Sequence, residues 1–124
     1  MLVVGVTILT SLDVASVEQI GFRDAPLQSA TRLALLAKTA GLRGVVASPH
    51  EIRAIREACG DSFVIVTPGI RPEGSEAGYQ RRTTTPAAAI AAGADYIVVG
   101  RPITDARDAR AAALRISDQL SVGG

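Results

Sequence analysis

Four short runs of apolar, largely β-branched residues recur along the chain: LVVGVTIL (Leu2 to Leu9), GVVAS (Gly44 to Ser48), FVIVT (Phe63 to Thr67) and YIVVG (Tyr96 to Gly100). Each is nearly continuous rather than alternating, the pattern of a strand covered on both faces. A different period fills the gaps. Between Pro26 and Ala40, residues Leu27, Ala30, Leu33, Ala34, Ala37 and Ala40 recur at helical spacing. Ser48-Pro49-His50-Glu51 has the form of a capping box with proline at the first helical position. Thr85-Pro86 opens another helix in the same way, and Asp108 to Leu120 forms the last. A shorter helix is expected from near Asp13 to Gly21. Gly41, Gly60 and Gly93 sit where helices should stop, as left-handed caps. This alternation predicts an α/β fold of four parallel βα units, with residues 1–124 forming one unit.

Composition sets the kind of core. Of 124 residues, 48% are hydrophobic but only 3% aromatic, with no Trp, so the core must be aliphatic. A net charge of +1 gives no general case for a nucleic-acid or membrane partner. The single cysteine, Cys59, rules out an intrachain disulfide and fits a reducing compartment. LVVGVTIL is too short to span a bilayer and lacks the basic flank of a signal peptide. A soluble, cytoplasmic protein is expected. Met1 abuts the first strand-like run, as it would in a barrel cut between two units.

Four parallel strands with right-handed crossovers fit either an open sheet or half of a (β/α)₈ barrel. Barrels bind ligands at the C-terminal ends of their strands, and often hold phosphate in the loops after strands seven and eight. The two richest loops follow the last two runs. TPGIRPEGSEAGYQRRTTTP (Thr67 to Pro86) carries three glycines and three arginines. Val99-Gly100-Arg101-Pro102 offers a strand end, a glycine and an arginine shortly before a helix. Glycine lets backbone N–H groups approach an anion, guanidinium forks match phosphate oxygens, and helix N-termini add a favourable dipole. Arg71, Arg81, Arg82 and Arg101 place four of the thirteen basic residues at this end of the sheet. A solvated basic loop is the alternative reading.

In this order and spacing, VGVTILTS, GVVAS, VTPGIRPEGSEAGYQRRTTTP and DYIVVGRPIT resemble the C-terminal half of orotidine 5′-phosphate decarboxylase, in the bacterial branch of that family. The resemblance covers essentially the whole chain. It implies the second half of a (β/α)₈ TIM barrel, strands five to eight, in an enzyme that is usually a homodimer. That enzyme removes CO₂ from orotidine 5′-phosphate to give UMP, the last step of de novo pyrimidine synthesis, with no metal and no organic cofactor. The matching positions concern substrate holding. Thr10 matches a hydrogen-bonding position for the pyrimidine ring, and Arg71 a substrate-binding position. Gln80 matches the phosphate-loop glutamine, while Gly100 and Arg101 match backbone and side-chain phosphate contacts. Tyr79 stands where the family often has a small or acidic residue.

The family's reactive groups are a lysine–aspartate array that includes Asp-x-Lys-x-x-Asp, and no such motif occurs in the chain. The one lysine, Lys38, falls in the last turn of the Pro26–Ala40 helix, on the face away from the ligand loops, and reads as a solvated residue near a helix C-terminus. His50 in the first turn of a capped helix, Cys59 at a helix end, and Glu73 and Glu76 on the loop read as solvated or packing residues. No metal spacing, triad, P-loop or Rossmann fingerprint is present. Three functions follow. The first is a decarboxylase half that supplies substrate and phosphate binding, inactive alone and completed by an N-terminal half. The second is a non-catalytic nucleotide- or phosphate-binding half-barrel that pairs as a homodimer. The third, ranked last, is a relative acting on a sugar phosphate.

Overall fold

The computed structural model describes residues 1–72 and 84–123. The elements are β1 (Val4–Val6), α1 (Val14–Gln19), α2 (Pro26–Thr39), β2 (Gly44–Val46), a 3₁₀ turn (Pro49–Glu51) running into α3 (Ile52–Cys59), β3 (Val64–Thr67), α4 (Pro86–Ala92), β4 (Tyr96–Ile97), α5 (Arg101–Thr104) and α6 (Ala109–Gly123).

Local chemistry explains most of the boundaries. Asp13 accepts a hydrogen bond from Ser16 N and starts α1, and Thr85 does the same for α4 through Ala88 N. The capping box forms: His50 N donates to Ser48 Oγ, and Ser48 N donates to Glu51 Oε2 at 3.0 Å. The turn it starts is 3₁₀ rather than α. Gly93 ends α4 with φ +118° and ψ 12°, the left-handed conformation expected of it. Gly60 differs. Its φ is +91° but its ψ is 174°, so it redirects the chain into an extended path rather than a left-handed cap.

The four strands are all parallel and lie in the order β1-β2-β3-β4. Each strand neighbours its predecessor, so there is no reversal of order and no switch-point crevice of the doubly wound kind. This is the order of successive strands around a barrel.

Side chains alternate across the sheet. Val45 and Ile65 are fully buried, packed with Ala34, Ile52 and Ile55 under the helices, in an aliphatic core as the composition requires. A smaller cluster of Ile8, Val17 and Ala30 seats α1. The other face carries one transverse row, Val6, Val46, Val66 and Tyr96, set by the strand register. No helix covers this row among the described residues, and Val6 and Tyr96 at its ends are exposed.

Lys38 is more than a solvated helix-end residue. Its ammonium donates to the Cys59 carbonyl at 2.7 Å, tying the end of α2 to the end of α3. Both are helix C-termini, where a cation is favoured. None of the helices is long and apolar enough to cross a membrane, among the described residues.

Candidate functional site

The loop after β3 and the turn after β4 meet in one small cleft of about 80 Å³. Pro68, Gly69, Ile70 and Arg71 form one wall; Val98, Gly100 and Arg101 form the other. The space holds several waters or one small oxyanion.

Each wall has a structural reason. Gly69 adopts φ +76°, a conformation that side chains resist, and this turns the chain out of β3. Ile70 then forms a parallel bridge with Thr84. Arg71 N donates to Thr84 O at 2.9 Å, and Thr84 N donates to Gly69 O at 3.4 Å. The two ends of the glycine- and arginine-rich loop are thus clasped together, and Arg71 is held half-buried beside the cleft. On the other wall, Val98 N donates to Thr67 O at 2.9 Å, which extends the β3–β4 ladder up to the turn. Gly100 caps α5, accepting from Ile103 N and Thr104 N at 2.9 and 3.1 Å. A side chain at Gly100 would meet nothing within 4 Å, so packing does not demand glycine there. Open space over a glycine is what close approach by a ligand uses.

Three of the residues singled out from sequence, Arg71, Gly100 and Arg101, therefore come together from two separate loops. Thr10 is buried at the end of the first strand's run, and β2 and β3 separate it from β4. It shares the C-terminal end of the sheet with the cleft but does not line it. Gln80, with Glu73, Glu76, Tyr79, Arg81 and Arg82, lies outside the described residues. Sequence reasoning missed Ile70 and Val98 as wall residues and Thr84 as the clasp. Val98 belongs to a continuous apolar run, where nothing marks one residue as lining a site.

His50 lines a second hollow, about 240 Å³ and largely apolar, with Val14, Pro26 and Leu27. The Cys59 thiol is buried in the core, and burial pushes it above its ordinary range, against the pull of Lys38 and then Arg56. A thiol held protonated is a packing group, not a nucleophile. Among the described residues no group of three or more His, Cys, Asp or Glu is placed to hold a metal ion.

The family model described as orotidine 5′-phosphate decarboxylase / HUMPS family matches residues 1–116. The chain belongs to this family.

Among its relatives, the orotidine 5′-phosphate decarboxylase of Moorella thermoacetica is 54% identical over 121 residues, covering 97% of this chain and 48% of that protein. The Haemophilus influenzae (strain PittEE) enzyme is 52% identical over 122 residues, covering 98% of this chain and 52% of its own length. Of the solved structures, orotidine 5′-phosphate decarboxylase from Lactobacillus acidophilus superposes with a TM-score of 0.78 at 37% identity, over 96% of this chain and 49% of that one. The Pyrococcus horikoshii enzyme gives 0.64 at 30% identity, over 95% and 49%. The chain spans about half the length of these family members, and its four parallel units form half of a (β/α)₈ barrel.

Proposed function

We propose that this chain is the C-terminal half, strands five to eight, of an orotidine 5′-phosphate decarboxylase, and that its work is to hold the substrate by its 5′-phosphate. The single observation behind this is the convergence of Arg71 and Arg101, from two different loops, on the cleft beside Gly100. Guanidinium groups there neutralise the phosphate and direct N–H donors at its oxygens. Each charge-assisted contact is worth roughly 1.5–3 kcal/mol. Gln80 is proposed as a further phosphate contact. Thr10, at the same end of the sheet, is proposed to meet the pyrimidine ring, some distance from the cleft as a nucleotide's length requires.

Decarboxylation leaves an electron pair on the ring carbon that loses CO₂, and a proton must then be delivered to that carbon. The chain's one lysine is Lys38. It is engaged with the Cys59 carbonyl at the C-termini of α2 and α3, which lie at the N-terminal end of the sheet, away from the cleft. On this reading, in which a lysine delivers the proton as the family resemblance implies, the donor comes from a complementary segment, and the isolated chain is expected to bind nucleotide without turning it over. A cytoplasmic location goes with this role.

Comparing UMP with uridine tests the phosphate-led reading. UMP should bind the purified chain and uridine should bind at least tenfold more weakly. Equal affinity, or turnover of orotidine 5′-phosphate by the chain alone, would refute it.

A further inference from the structure

Arg71 and Arg101 reach the cleft on separate supports. Arg101 opens α5 directly beyond the β3–β4 ladder: Val98 N donates to Thr67 O at 2.9 Å, and Gly100 O accepts from Ile103 N and Thr104 N. Arg71 stands off the strands. Gly69, at φ +76°, has already turned the chain out of β3. What receives the chain there is Thr84. Ile70 and Thr84 form a parallel bridge outside the four strands. Arg71 N donates to Thr84 O at 2.9 Å, and Thr84 N donates to Gly69 O at 3.4 Å.

Thr84 is itself fixed from the other side. Thr85, the next residue, caps α4: its Oγ1 accepts from Ala88 N at 3.3 Å and its carbonyl from Ala89 N at 3.0 Å. Pro86 at the first helical position is fully buried, and α4 packs against α3 and α6. Ile70, 2% exposed, shares the main core cluster with Ala89 of α4. The backbone partner of Arg71 is therefore the residue immediately before a helix cap. A bridge of one residue pair lengthens none of the four strands. Its consequence is local: it fixes the path of the chain between Ile70, anchored in the core, and Arg71, beside the cleft.

We propose that Thr84 is a positioning residue for the phosphate cleft: its backbone, held by the start of α4, sets where the Arg71 guanidinium stands. The inference rests on the phosphate reading above and adds α4 to the elements that assemble the site. A guanidinium fork matches phosphate oxygens only over a narrow range of directions, so a support that locks its backbone changes affinity without touching the ligand. Thr84 does not line the cleft, and its effect must pass through Arg71. Arg101, carried by Val98 and Gly100, is held independently of it.

A double-mutant cycle on the full chain, read by calorimetric titration of UMP with circular dichroism showing each variant folded, tests this. Thr84→Pro removes the N–H that bonds Gly69 O and should weaken UMP binding at least fivefold. In an Arg71→Ala background the same change should cost less than twofold, because no guanidinium is left to place. In an Arg101→Ala background it should cost the full fivefold. A general loss of stability would not tell the two arginines apart. Where Thr84→Pro fails to fold, Thr85→Ala, which removes the cap, carries the same comparison, and Thr85→Ser, which keeps the cap oxygen, should restore the natural affinity. Unchanged affinity in the folded variant, or equal losses in the two backgrounds, would overturn the role of Thr84 and leave the cleft standing. No UMP binding by the folded natural chain would overturn the phosphate reading and this inference with it.

Discussion

The Arg56 guanidinium lies 2.7 Å from Asp95 Oδ2, joining the last turn of α3 to the start of β4 across 39 residues of chain. The same side chain donates to the carbonyls of Gly60, Asp61, Phe63 and Gly93. Asp95 Oδ2 in turn accepts from Ile65 N at 2.9 Å. One arginine therefore fastens two helix ends and two strand starts at the end of the sheet away from the cleft. It sets where β3 and β4 begin, and so where their C-terminal ends meet.

Arg56→Ala removes this clamp and leaves several carbonyls in search of water. It should lower unfolding free energy by about 2–3 kcal/mol, the scale of lost charge-assisted bonds. Asp95→Asn keeps an acceptor for Ile65 N and should cost less. Urea denaturation of both variants checks the order.

Gly44 sits where β2 runs tightest against β3. A Cβ there would come within 2.7 Å of Val64 Cβ and 2.9 Å of its carbonyl carbon. Backbone cannot step aside as a flexible side chain can, so Gly44→Ala should destabilise by about 1–3 kcal/mol. A thermal melt measures it.

Gly100 makes the opposite case. A Cβ there would have open space. Gly100→Ala should keep its fold by circular dichroism and weaken UMP binding at least fivefold, because the methyl group occupies the ligand's approach. Unchanged affinity would remove Gly100 from the site.

The buried Cys59 thiol gives a pH signature. Its pKa in the fold is raised by burial, so the folded state holds the proton more tightly than the unfolded chain. The resulting stability is complete below the ordinary thiol pKa of about 8.5 and is lost as pH rises through the higher folded value. Urea midpoints taken at increasing pH across that range should fall more steeply for the natural chain than for Cys59→Ala.

How much of this was readable in the sequence depends on how local each cause is. The helix starts at Asp13, Ser48 and Thr85 were legible because a cap is written within four residues. The stops at Gly41 and Gly93 were legible because only glycine takes a positive φ cheaply. Gly60 shares the sign of φ but not the conformation, which depends on the path into β3. Arg71, Gly100 and Arg101 could be chosen because they follow strand ends directly, where a parallel α/β fold builds its sites. The clamp at Arg56 could not, since its partners are up to 39 residues away and no periodicity joins them. Nor could the Lys38 bond to Cys59, the clasp at Thr84 or the short α5 beginning at Arg101, all of which follow from tertiary placement.

The central claim is that the cleft between Arg71 and Arg101 holds a nucleotide phosphate. The most direct measurement is a calorimetric titration of UMP into the purified chain and into Arg101→Ala, with circular dichroism showing both folded. The account predicts binding to the natural chain, weakened at least tenfold in Arg101→Ala. Equal affinity in the two proteins, or no binding to a folded natural chain, would contradict it.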